Sequence, residues 1–103
     1  MKRHEHLITC LIEELGEVQK ELSKCLRFTC DHKPDAYPTT NLERARLEVI
    51  DVYAVADLLH KDGINTGIQV PTKLAPDDAF HFLNKQEKVE RLMLHARNIG
   101  ALE

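Results

Sequence analysis

The chain has 103 residues, room for one domain of ordinary size. Its composition is 43% hydrophobic and 30% charged with only four glycines and four prolines, which excludes a disordered, collagen-like or glycine-rich all-β chain and leaves a compact helical or mixed domain. The formal charge is −3, so the basic footprint expected of a protein for duplex nucleic acid or an anionic membrane surface is missing.

No segment approaches the roughly 18 to 20 consecutive apolar residues of a membrane helix, and the opening Met1 to His6 is followed by no apolar signal block. The expected address is therefore the cytoplasm. Cys10, Cys25 and Cys30 form no Cys-x-x-Cys pair and are odd in number, which fits reduced thiols better than a disulfide framework or a zinc site. Cys25, Cys30 and His32 match no common soft-metal spacing. Few aromatics and no tryptophan leave a small supply of large core side chains, so a homo-oligomer, dimer or tetramer, is expected to complete the core.

In chain order, the first periodic segment runs from about Lys2 to Phe28. Leu7, Leu11, Leu15, Val18, Leu22 and Cys25 recur at spacings of three and four, which predicts a helix with one buried seam. Pro34 and Pro38 then forbid helix continuation and mark a loop over Thr29 to Pro38. Thr40 to Glu43 fits a capping box that opens a second helix, expected to end near Asp62 with Gly63 as its left-handed cap. Ile68 to Val70 looks extended but is too short to imply a sheet, so residues 63–76 read as loop. A third helix opens at Pro76 and closes before Gly100, with Ala79, Phe82, Gln86, Val89, Met93 and Ala96 as its seam. The expected fold is a single all-α domain over residues 1–103, an antiparallel bundle of about three helices completed by oligomerisation.

The second helix carries the most informative stretch, Leu47 to Ala56. Apolar and aromatic residues cover nearly every side of it, so Glu48 and Asp51, three apart on one face, would be charges in a core. An unpaired buried carboxylate costs several kcal/mol, so something cationic must meet them. On the first helix Glu14, Glu17 and Glu21 fall within about 60° of one another, beside the Leu11 and Val18 stripe. Antiparallel packing of the two helices brings Glu14 and Glu17 opposite Glu48 and Asp51. Carboxylates about 4 Å apart repel by roughly 4 kcal/mol per pair at an effective dielectric of 20, so they converge only around protons, basic partners or metal. An all-oxygen donor set favours Mg²⁺, or Mn²⁺, over Zn²⁺. A di-iron bundle is disfavoured, since no Glu has a His three residues later. The competing account is a solvated acidic face, with Arg44 neutralising Glu48 from one turn away.

Glu13-Glu14-Leu15-Gly16-Glu17 followed by Glu48-Val49-Ile50-Asp51 resembles the two-part signature of the MazG-type, all-α nucleoside triphosphate pyrophosphohydrolases. The resemblance is strongest over Leu7 to Leu59, and both halves stand in order on successive helices. It implies Mg²⁺ ligation by Glu14, Glu17, Glu48 and Asp51, with Glu13 as an accessory group that orients or deprotonates the attacking water. It also implies cleavage between the α and β phosphorus atoms, releasing a monophosphate and pyrophosphate. The connection from Val18 to Leu47 is long for the family, with the segment from Phe28 to Pro38 inserted.

A triphosphate also needs cations, and on the third helix His81, Lys85, Lys88, Arg91 and His95 lie within about 60° of one line. Lys88-Val-Glu-Arg91 is similar to a Lys-Phe-x-Arg element in some MazG-type enzymes, which marks Lys88 and Arg91, with Lys85 behind them, as expected phosphate contacts. Tyr53 reads as a core residue, and Gly16 as a point of close helix approach. The leading expectation is a Mg²⁺-dependent nucleoside or deoxynucleoside triphosphate pyrophosphohydrolase. A phosphoribosyl-ATP pyrophosphohydrolase or dUTPase-like activity is the nearest alternative, and a non-catalytic helical interaction protein is the alternative from another class.

Overall fold

A computed structural model describes residues 1–103 as three α-helices and no strand: α1 (Arg3–Phe28), α2 (Asn41–Lys61) and α3 (Pro76–Asn98). Each boundary follows from local chemistry. The backbone N–H of Lys2 donates to the Glu5 carboxylate (2.9 Å) at the start of α1, and the Thr40 hydroxyl accepts from the Glu43 N–H (3.1 Å) at the start of α2. In the α2 cap the Glu43 carboxylate also accepts from the Thr40 hydroxyl (3.2 Å). Pro76 occupies the first position of α3, where its missing N–H removes nothing.

Glycine closes the second and third helices. Gly63 and Gly100 take φ of +87° and +80°. Beyond α2, Gly63 N–H bonds the His60 carbonyl and Ile64 N–H the Leu59 carbonyl, which is a Schellman stop. Gly100 and Ala101 repeat this pattern on Arg97 and Ala96, and the turned chain then carries Leu102 back into the core. α1 ends differently, on Thr29, a β-branched residue held at φ +74°.

The core unites Leu7 and Leu11 of α1 with Val52, Val55, Leu58 and Leu59 of α2 and Val89 and Met93 of α3, closed by Leu102. α2 is the central element and is buried on most of its circumference, as its apolar composition requires. The α3 seam is as expected, with Gln86, Val89 and Met93 buried and Ala79, Phe82 and Ala96 half-buried. The α1 seam is not. Leu15 and Leu22 point outward, 45% and 46% exposed, and the inward face instead carries Glu14 and Glu21 among Leu7, Leu11 and Val18. Both faces repeat in threes and fours, so periodicity alone could not choose between them.

Polar contacts give the helix directions. Arg3 at the start of α1 bonds Asp62 just beyond α2 (2.6 Å), and Glu21 late in α1 bonds Arg44 early in α2 (3.2 Å), so these helices are antiparallel. α3 is likewise antiparallel to α1, with Arg3 on Glu90 and Glu14 on Lys85. Between α2 and α3 the expected antiparallel arrangement fails. Arg46 meets Asp78, Asp51 meets His81 and the Ala54 carbonyl accepts from Gln86, so the two run parallel. The physical reason is the connection over residues 62–75, which at about 3.3 Å per residue can reach ~46 Å and so return along the ~32 Å of α2.

Candidate metal centre

Antiparallel packing of α1 and α2 brings Glu14, Glu48 and Asp51 together, with one oxygen of each within 4.8 Å of the others. No other set of three acidic, His or Cys side chains converges in this way. Glu14 and Asp51 are buried and Glu48 is half-buried. Asp51 is drawn inward because its neighbours Ile50, Val52, Ala54 and Val55 are all core residues.

The electrostatic surroundings of the three acids differ. The Lys85 ammonium lies 2.6 Å from Glu14 Oε1, and His81 Nε2 lies 2.8 Å from Asp51 Oδ1. The His81 contact is close but not aligned as a hydrogen bond, so Nε2 is a buried polar atom without a true partner. Glu48 pairs with no Lys, Arg or His. Loss of water, followed by repulsion from Asp51 and Glu14, pushes its carboxyl up to about 7. Burial also raises Asp51, although His81 and Lys85 pull in the other direction. For Lys85 burial opposes the charge, but the contact with Glu14 and the field of Asp51 and Glu48 outweigh it and hold the ammonium above its ordinary range.

The expected residues are not all assembled. Glu17 is exposed at the rim, loosely paired with Lys20 at 4.0 Å, although its charge still reaches Glu48. Glu13 is exposed and turned about 100° round the helix from Glu14. On α3, Lys85 is engaged by Glu14, whereas Lys88 and Arg91 are exposed and free of ion pairs further along the helix. Arg44 does not neutralise Glu48. It pairs with Glu21, donates to the Thr39 carbonyl and to Asn41, and stacks over the Tyr37 ring at 4.4 Å. Arg46 is on Asp78 (2.8 Å). The three cysteines are free, and Tyr53 is half-buried.

Two features were not anticipated. His81 belongs to the acid cluster rather than to a phosphate edge, which only the parallel course of α2 and α3 could bring about. Gln86, a polar residue in an apolar seam, donates to the Ala54 carbonyl (3.0 Å) and to Asp57 (2.8 Å) and so fixes α3 against α2. Its position amid Phe82, Val89 and Met93 was the available signal. In comparisons with known proteins the chain matches no family model, no curated protein and no solved structure.

Proposed function

We propose that this chain is a divalent-metal-dependent pyrophosphohydrolase that acts on nucleoside or deoxynucleoside triphosphates and releases a monophosphate and pyrophosphate. The observation that carries this reading is the convergence of Glu14, Glu48 and Asp51 from two helices, with Glu48 half-buried and without a cation of its own. Three hard oxygen donors within one ion's reach suit Mg²⁺ or Mn²⁺, and Glu17 is the rim residue available as a fourth. A bound divalent ion supplies charge neutralisation at phosphate oxygens and lowers the pKa of a coordinated water.

The chain's own residues do the rest. Glu14, Glu48 and Asp51 would hold the ion, and they lie against the apolar face of α2, where charge is poorly screened by water. The Lys85 ammonium stands beside them on Glu14, where it would supply a positive charge for a phosphate oxygen. Lys88 and Arg91 extend that positive edge outward for the departing pyrophosphate. Glu13 is the remaining free carboxylate on α1 for orienting water or holding a proton at the rim. Assaying pyrophosphate release from each common triphosphate with Mg²⁺ tests the proposal, and a panel that includes phosphoribosyl-ATP and dUTP separates the related activities. Turnover lost in Glu48→Gln supports it. No turnover from any triphosphate, with Glu48→Gln indistinguishable from the parent, rejects it.

A second reading draws on Lys85, which already pairs with Glu14, and on His81, whose ring stands against Asp51. In a non-catalytic interaction protein these pairs would be the final arrangement. Mg²⁺ would then leave Tm unchanged, whereas a metal site raises it by mass action.

A further inference from the structure

Hard oxygen donors explain a preference for Mg²⁺ or Mn²⁺ over Zn²⁺, but they do not separate either ion from Ca²⁺, which also binds carboxylates. What separates them is coordination. Ca²⁺ takes about six to eight oxygens at about 2.3–2.6 Å and readily uses both oxygens of one carboxylate, whereas Mg²⁺ is octahedral at about 2.0–2.1 Å and keeps several waters. The number of carboxylate oxygens free to face an ion therefore matters as much as the number of carboxylates.

Two side chains of α3, one helical turn apart, set that number here. Lys85 Nζ lies 2.6 Å from Glu14 Oε1, and its side chain is only 18% exposed, so the ammonium is held on that oxygen rather than free to swing into water. His81 Nε2 lies 2.8 Å from Asp51 Oδ1 and is itself shut off from solvent. An ion bound to Glu14 through both oxygens would sit within about 5 Å of the ammonium, where like charges in a half-buried site repel strongly. An ion shared between both oxygens of Asp51 would likewise crowd the imidazole. Glu48 is the exception, since only other carboxylates act on it.

We propose that Lys85 and His81 select the ion: by occupying Glu14 Oε1 and Asp51 Oδ1 they leave each carboxylate a single oxygen for metal, which suits Mg²⁺ or Mn²⁺ and disfavours Ca²⁺. This rests on the reading of Glu14, Glu48 and Asp51 as metal ligands. One oxygen each from Glu14 and Asp51, with one or two from Glu48, fills three or four positions round an ion. The others fall to water and phosphate oxygens, a division that a small octahedral ion accepts and Ca²⁺ does not favour. Side chains that served only to offset acidic charge would weaken every divalent ion alike, because Mg²⁺ and Ca²⁺ carry the same charge. Selection through the oxygens has unequal effects on the two.

Isothermal titration of the full chain with MgCl₂ or CaCl₂ alone reads the ratio of the two dissociation constants, with circular dichroism as the folding control. The parent is expected to bind Mg²⁺ at least as tightly as Ca²⁺. Lys85→Met and His81→Phe should each move the ratio toward Ca²⁺ by about threefold or more, and the double variant by about tenfold or more. Each single variant is a test by itself. Lys85→Arg, which retains a cation for Glu14 Oε1, should keep the ratio within about twofold of the parent. A parent that prefers Ca²⁺, or variants in which both constants move in step, would overturn the proposal and leave metal binding by the three acids standing. A parent that binds neither ion overturns both together. No readout depends on turnover.

Discussion

Glu48 is the residue at which burial, charge and chemistry meet. Its carboxyl, pushed up to about 7 by desolvation and by Asp51 and Glu14, stays protonated in the folded chain at pH values where the unfolded chain has released the proton. Stability without metal should therefore fall as pH rises from about 4.5 through 7 and level off above, by roughly 1 kcal/mol once solvent screening is allowed for. Glu48→Gln, which carries no charge to repel, should flatten that decline in urea titrations from pH 5 to 8. Mg²⁺ affinity should run the opposite way and strengthen as pH rises through 7, because the ion must displace the proton. Lys85 makes the complementary case. Lys85→Met leaves the buried Glu14 without its ammonium and should cost ~2 kcal/mol in metal-free buffer. If the trio holds metal, Mg²⁺ should raise the Tm of Lys85→Met by more than that of the parent, since the ion takes over the role of the lost cation.

At the scale of the helix, ends and faces obey different rules. Ends are set by a few local groups: Thr40 and Glu43 open α2, Pro76 opens α3, and Gly63 and Gly100 close them. Thr29 is the exception, since α1 closes on a β-branched side chain in a conformation suited to glycine. Thr29→Gly should raise stability by ~1 kcal/mol, and Gly63→Ala, whose new Cβ would strike nothing but must hold φ at +87°, should lower it by about as much. Paired thermal melts of the two variants check both signs. Faces are less local. Leu7 and Leu11 were legible as core, but α1 has two apolar stripes, and Leu15 and Leu22 belong to the outer one. What turns the helix is the packing of Leu7 and Leu11 into the core shared with α2 and α3, which carries Glu14 and Glu21 to Lys85 and Arg44 and which no repeat within α1 records.

In the whole molecule, Arg3 joins all three helices where they meet, bonding Asp62 through Nε (2.6 Å) and Glu90 through a two-pronged contact (2.9 and 2.6 Å). All three side chains are partly exposed, so Arg3→Ala should cost only ~1 kcal/mol, and the difference should shrink as salt is raised to 1 M. A larger, salt-independent loss in chemical denaturation would mean that the clamp fixes the packing of α3 rather than adding a surface ion pair.

The three helices, their ends, the central apolar helix and the acids it carries could all be read from the chain, because capping, turn formation and amphipathic spacing act over a few residues. The way α3 runs beside α2 could not be, since a connection long enough to return admits either direction. That choice decides which α3 side chains face the acid cluster. It places His81 and Lys85 against Asp51 and Glu14, while Lys88 and Arg91 remain on the surface. Which carboxylates exist and on which helix is a matter of covalent order. Which of them share one small volume, and with what counter-charge, depends on how three rods rotate against each other to bury Leu59, Met93 and Leu7 together, a balance summed over the whole core.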